Sequence, residues 1–230
     1  MIDLDLLARY GPRMLQGLLV TLELVAISIV LGGLLAFPVA LARISTSRIL
    51  NVLSFCYVYF FRGTPLLAQV FLVYYGAGQF RESLESAGMW WFFRDAFNCA
   101  IFTFTLNTAA YQAEILRGAI LSVPRGQTEA ALTMGMRMPP IYLKVILPQA
   151  YIVALRPLGN EVILMIKGSA IASIITVFDL MGATRLAFAR SFDFQVYLWA
   201  AVLYLIIVEA LRRVWDRLEI RLTRHLRMRA

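Results

Sequence analysis

From Leu24 to Ala42 the chain runs for 19 residues without a charge. A helix of about 20 apolar residues spans the hydrocarbon core of a bilayer, and there every backbone N–H and C=O must be paired inside the segment or inside protein. Such a run constrains the chain to a membrane helix, and it recurs. Apolar stretches cover residues 14–42, 52–78, 96–117, 151–168 and 194–211, with shorter polar connections between them. Composition agrees: 60% of residues are hydrophobic and 16% charged, with a mean hydropathy of +0.73, where soluble domains hold about 45–50% and about 25%. The expectation is an all-α, polytopic membrane protein with about five transmembrane helices in one domain, residues 1–230.

The net charge is +8, and 20 of the 22 cations are Arg. They stand beside apolar segments, which points to membrane orientation and not to nucleic acid. With the N-terminus outside, the outer connections carry six Lys/Arg and the inner ones thirteen, while Arg62, Arg156 and Lys167 lie in spans. The excess places the N-terminus in the periplasm, and the C-terminus and the 122–148 loop in the cytoplasm. Residues 1–13 read as a short interfacial segment. They lack the basic start of a cleaved signal, and the apolar run that follows is too long for one, so the first span is expected to stay. Gly17, Ser28, Gly32 and Gly33 lie near the small-residue spacing that lets membrane helices approach closely. Residues 168–194 read as a packed, partly helical segment on the outer side and not a full span. The tail, 212–230, reads as a basic helix whose arginines either fix topology or meet lipid headgroups.

Polar residues interrupt three of the spans. Arg62-Gly63-Thr64-Pro65 breaks the second. Asn107, Tyr111 and Glu114 recur at i, i+4 and i+7 in the third and share one helix face. The fourth carries Arg156, Pro157, Asn160, Glu161 and Lys167 and reads as short and interrupted, with Pro139-Pro140 expected to force a break before it. A charge at the bilayer centre costs about 2.5–3.5 kcal/mol on insertion scales. Two readings remain. The charges neutralise one another between helices, or the set Arg62, Thr64, Asn107, Tyr111, Glu114, Asn160, Glu161 and Lys167 lines a polar pocket at an interrupted helix, where transporter sites commonly lie. In the second reading Glu114 or Glu161 takes the cationic end of a substrate, and Arg62, an amide or a helix N-terminus its carboxylate.

Other chemistry is poorly supported. No Walker A sequence is present, so the chain lacks the usual cradle for ATP phosphates. The single histidine, His225, falls in the basic tail. Cys56 and Cys99 fall inside apolar segments and suggest neither a disulfide nor a metal site. No catalytic residue, metal or cofactor is expected on this chain.

The stretch Gln127 to Ala150 reads QTEAALTMGMRMPPIYLKVILPQA. Small residues on a short helix, a Gly to stop it and a second apolar piece fit an element that docks; an ordinary polar loop fits too. Glu129-Ala130-Ala131, Gly135, Ile146 and Pro148 resemble the cytoplasmic loop of ATP-binding-cassette importer permeases. F-R-G-T-P-L-L from Phe61, N-x-x-A-Y-x-x-E-x-x-R-G from Asn107 and P-x-x-N-E-x-I-x-x-x-K from Pro157 resemble the polar-amino-acid permeases of the histidine, octopine and nopaline group. The chain departs where family members continue T-S-L, reading Gly168-Ser169-Ala170-Ile171 instead. The resemblance implies a type I importer permease fold in the bacterial inner membrane. It also implies a paralogous permease as heterodimer partner, two ATPase subunits that carry ATP and Mg, and a periplasmic solute-binding protein. The cargo implied is a basic amino acid or an opine. Glu129, Ala130, Ala131, Gly135 and Pro148 would belong to the coupling element that meets the ATPase. An ATP-independent channel, a secondary transporter, or a membrane scaffold or sensor would need no such element.

Overall fold

A computed structural model describes residues 4–227. Residues 1–3 and 228–230, the ends of the expected N-terminal segment and basic tail, lie outside the described residues, as does the side chain of His225. Helix α1, Leu4–Ile44, is one continuous element. The separate interfacial segment expected over 1–13 is not seen, since residues 4–13 are the first turns of α1. Pro12 removes one N–H from the ladder, but Leu6, Tyr10 and Met14 follow at four-residue spacing and keep one face packed.

The second apolar stretch is two helices. α2, Arg48–Gly63, and α3, Leu66–Gln79, meet at 103°. At 1.5 Å per residue they are about 24 and 21 Å long, each short of the roughly 30 Å hydrocarbon core. Two short helices, α4 (Arg81–Ser86) and α5 (Trp90–Phe93), lead to α6, Ala96–Ser122. Asp95 caps α6, its Oδ1 accepting from the Asn98 N–H at 2.9 Å. α6 packs against α1, α2, α3 and α9 and buries Thr103, Asn107, Thr108 and Gln112. It is long enough to cross a membrane but more polar than the other candidates, which protein on several sides permits.

After α6 come α7 (Arg125–Thr133) and α8 (Met138–Ile141), a π-helical turn (Tyr142–Ile146), α9 (Leu147–Gly168) and a 3₁₀ segment (Ser169–Ile175). Met138–Ile175 is one rod. Two expectations are thereby corrected. Pro139 and Pro140 begin a helix rather than break one, because the first turn has no use for their missing N–H groups. The fourth span is neither short nor interrupted, and Pro157 sits inside α9. The second half of the 122–148 loop is thus already helical and in line with α9.

α10, Leu180–Ser191, is capped by Asp179, whose Oδ1 accepts from the Gly182 N–H at 2.8 Å. α11, Gln195–Arg227, runs through the fifth apolar stretch and on into the basic tail as far as Arg227 without a break. Among the described residues, α1, the 138–175 rod and α11 are long and apolar enough to cross a membrane, and the bent α2–α3 pair makes a fourth candidate.

Small residues set the packing of α1. A Cβ on Gly32 would collide with the Thr108 methyl of α6, and one on Gly17 would lie 2.6 Å from the Asp179 carbonyl oxygen. One core, toward α7, gathers Ala36, Ala40, Ala110, Ala113, Ile141 and Ala150; a second, toward α10, gathers Leu24, Val70, Phe104, Met165 and Ile175. Gly32→Ala is expected to cost about 1–3 kcal/mol through overpacking. Gly76→Ala, on α3 with open space at its Cβ, is expected to be neutral or slightly stabilising. Thermal unfolding of the two detergent-purified variants checks this, and equal stability would contradict the close α1–α6 contact.

Candidate functional site

The break between α2 and α3 decides the local geometry. Pro65 has no N–H, and Thr64 and Pro65 are extended, so carbonyls at the end of α2 lose their helical donors. Two side chains replace them. Gln69 Nε2 lies 3.0 Å from the Phe61 carbonyl, 3.1 Å from that of Thr64 and 2.7 Å from Thr64 Oγ1. Asn107 Nδ2 donates to the Phe61 carbonyl at 3.1 Å and to Gln69 Oε1 at 2.9 Å. Below the break, Tyr57 donates its hydroxyl proton to the Leu106 carbonyl at 2.6 Å. The bend is thereby fastened to α6.

From the next residue of α6, Thr108, a second network holds Glu161. Thr108 Oγ1 donates to Glu161 Oε1 at 2.9 Å, and Gln112 Nε2 donates to Thr108 Oγ1 at 3.1 Å and to the Ile29 carbonyl at 3.3 Å. Glu161 is 6% exposed. It lines a cavity of about 210 Å³ with Thr64, Asn107, Tyr111, Met165 and Gly168. Glu161 is the one charged side chain in that lining.

Glu114 and Arg62 belong to a neighbouring cavity of about 280 Å³, closer to α7, lined also by Arg43, Phe55, Tyr59 and Gly63. Glu114 is already engaged. Arg117 Nε donates to its Oε1 at 2.6 Å, and Arg43 Nε stands 3.6 Å from its Oε2. The Arg62 guanidinium lies 5.2 Å from the centroid of the Tyr111 ring. Tyr111 faces the first cavity and Arg62 the second, so this cation–π pair separates them.

The polar set read from the sequence therefore divides. Thr64, Asn107, Tyr111 and Glu161 come together at the first cavity, and Arg62 and Glu114 at the second. Asn160 and Lys167 join neither lining; both are exposed on α9, beside Leu164 at the rim of the first cavity. Gln69, Thr108, Gln112 and Arg43 were not singled out. Thr108 and Gln112 carry the same four-residue spacing that marks Asn107 and Tyr111, so that signal was available. Gln69 had only its polarity in an apolar run, and Arg43 looked like a flanking cation.

In the 122–148 region, Glu129 and Ala130 are exposed on α7, while Ala131 is 5% exposed and packs with Ile141 and Ile146. Gly135 ends the helix at φ +78°. Its N–H donates to the Leu132 carbonyl at 2.9 Å, and the Met136 N–H to that of Ala131 at 3.1 Å. This is a Schellman stop, where glycine avoids the left-handed penalty. Leu132 and Met134 are exposed beside it, and Pro148 is exposed at the start of α9.

Residues 28–224 match the family described as the binding-protein-dependent transport system inner membrane component. The chain belongs to this family. It is a permease of the inner membrane, a transport component and not itself an enzyme, and the ATP-independent alternatives fall away. The nopaline transport system permease protein NocM of Agrobacterium fabrum is 40% identical over 99% of this chain and 95% of its own length. The histidine/lysine/arginine/ornithine transport system permease protein HisM of Escherichia coli K12 is 39% identical over 92% and 89%. The fold matches the crystal structure of an amino acid ABC transporter with histidines at a TM-score of 0.84 and 32% identity, covering 96% of this permease and 99% of that chain. At 22% identity and a TM-score of 0.75, the methionine transporter MetNI shares the fold, over 92% of this permease and 96% of that chain. Family membership implies an ATPase and a substrate-binding protein as partners.

Gln69→Leu and Asn107→Leu are each expected to destabilise the permease by about 1–3 kcal/mol, since each strands buried carbonyls. The double variant should cost less than the two losses added, because the Asn107–Gln69 hydrogen bond is lost in either single variant and is counted twice in the sum. Denaturation of all three in one detergent checks this; strict additivity would show that the two amides act independently.

Proposed function

We propose that this permease is half of the membrane channel of an ATP-driven importer for a basic amino acid or an opine. The observation that carries the substrate class is Glu161. A carboxylate in a membrane protein is costly unless compensated, and this one is buried, held by a single side-chain donor, and the sole charge lining the cavity at the broken helix. It suits a cationic group. The names of the relatives, which carry nopaline, octopine, histidine, lysine, arginine and ornithine, support the same class.

The second permease is a paralogue. In support, Asn160 and Lys167 stand exposed along one face of α9, in line with Arg156, which pairs with Glu219 of α11, and a polar stripe is costly against lipid but acceptable against protein or water. The N-terminus is periplasmic and the C-terminus cytoplasmic, in line with thirteen inner against six outer cations. The membrane spans are α1, the bent α2–α3 pair, α6, the rod that includes α9, and α11.

Coupling runs through α7. Glu129 and Ala130, with Leu132 and Met134, present an exposed polar and apolar patch that suits a groove of the ATPase, which carries ATP and Mg. Ala131 anchors the other side of α7 against the rod that bears Glu161. When ATP draws two ATPase subunits together, α7 moves with them and the rod transmits the shift. The cavity then loses its inner exit and gains an outer one, driven by the differential affinity of ATP for the two states. The binding protein supplies substrate to the outer mouth.

The test is substrate-stimulated ATP hydrolysis in proteoliposomes holding this chain, its paralogue, the ATPase and the binding protein, against a panel of amino acids and opines. Stimulation by a cationic compound is expected; failure of the chain to form a complex with an ATPase would overturn the reading. Glu161→Gln should lower uptake of that compound by about tenfold, as expected for a charge interaction near 1.4 kcal/mol. Ala130→Trp, on the exposed face of α7, should leave membrane insertion intact and abolish the link between hydrolysis and uptake; normal uptake would exclude a docking role.

A further inference from the structure

The two cavities differ in the sign of their charge. The one nearer α10 has Glu161 alone. The one nearer α7 has two arginines, Arg43 and Arg62, against one carboxylate, Glu114, and that carboxylate is shared with Arg117 outside the lining. Arg62 of the second cavity and Tyr111 of the first stand against each other between them.

Both guanidiniums are held ready. Arg43 stacks on Phe55, 5.1 Å from the ring centroid, and its Nη1 reaches Asn51 Oδ1 at 3.4 Å. Arg62 lies over Tyr111. Yet Arg43 Nε is buried without a hydrogen bond, and so is Glu114 Oε2. At 3.6 Å the two attract but do not bond. A planar guanidinium fixed by stacking in the wall of a cavity, and not fully bonded to the one carboxylate there, is suited to a second carboxylate. Glu114 cannot fill that role well, because its other oxygen is fastened to Arg117.

We propose that Arg43, together with Arg62, forms a carboxylate-binding subsite on the α7 side of the helix break. The pathway then fits an elongated molecule with a cation at one end, toward Glu161, and one or more carboxylates at the other, toward Arg43 and Arg62. This rests on the importer reading and refines its substrate class. Glu114 does not bind the cationic end; it positions Arg43. Arg43, which the sequence presents as a flanking charge, becomes a residue that determines specificity. Tyr111 and Arg62, the pair between the cavities, must part for such a molecule to lie across both.

Three ligands with a common guanidinium end separate the possibilities: agmatine with no carboxylate, arginine with one, and an N-carboxyethyl derivative of arginine with two. Each is titrated calorimetrically into the complex of both permeases with the ATPase, in nanodiscs and without the binding protein. Wild-type affinity is expected to rise with each carboxylate. Arg43→Gln should weaken the two-carboxylate ligand at least tenfold and arginine less, and leave agmatine within twofold; Arg43→Lys should restore part of the loss. Equal weakening of all three ligands would make Arg43 a structural residue and overturn the subsite. So would an unchanged profile, or a wild-type complex that assembles and binds none of them. Failure of the wild-type complex to assemble would instead overturn the importer reading, and the subsite with it.

Discussion

A bilayer core offers no water to a backbone carbonyl, so a helix broken there must be repaired by protein. Much of this permease follows from one such repair. Pro65 stops α2, and Gln69 and Asn107 supply the donors that the missing turn would have given. The repair fixes the 103° bend. It also fastens the bend to α6, because Asn107 belongs to that helix. A straight second helix would lie against α6 along its length and leave no room between them. The bent one leaves space on either side of Gly63–Pro65, and those spaces are the two cavities.

The same absence of water governs the charges. Glu161 is held by Thr108, Thr108 by Gln112, and Gln112 reaches the Ile29 carbonyl on α1. The chain of donors is possible because Gly32 lets α1 approach α6 closely enough to touch Thr108. A glycine on one helix therefore bears on the placement of a carboxylate on another. On the α7 side the charges are denser and partly compensated, with Arg43, Arg117 and Glu114 within ion-pair distance. Opposite charge on the two sides of the Arg62–Tyr111 pair gives the pathway a direction for a molecule that is itself a dipole.

Mechanical continuity links these cavities to α7. Ala131 on α7 packs into the core that includes Ile141 and Ile146, and from Met138 the chain runs as a rod through α9 to Ile175. A π-helical turn, Tyr142–Ile146, lies inside the rod. Such turns mark places where a helix changes twist, and they are frequent at functional positions. Gln149 Nε2, from the first turn of α9, donates to the Val145 carbonyl within the π-helical turn at 2.8 Å.

The sequence by itself determined the class of the protein, its all-helical make-up, the break at Gly63–Pro65 and the stop at Gly135. These are decided by length, hydropathy and backbone sterics, which act over a few residues. It also marked Asn107, Tyr111 and Glu161 as polar groups that need partners. It misread Pro139-Pro140, because a proline pair is equally at home at the first turn of a helix as after its last. Nor could it name the partners. Whether Glu114 meets Arg43 or Glu161 meets Thr108 depends on which helices touch and at what height, and residues 53 apart in the chain share no local signal. The division of one polar set into two cavities, with Asn160 and Lys167 left out of both linings, was decided by tertiary packing alone. Each side chain's direction follows from its helix's rotation, and that rotation is set by close contacts such as Gly32 against Thr108.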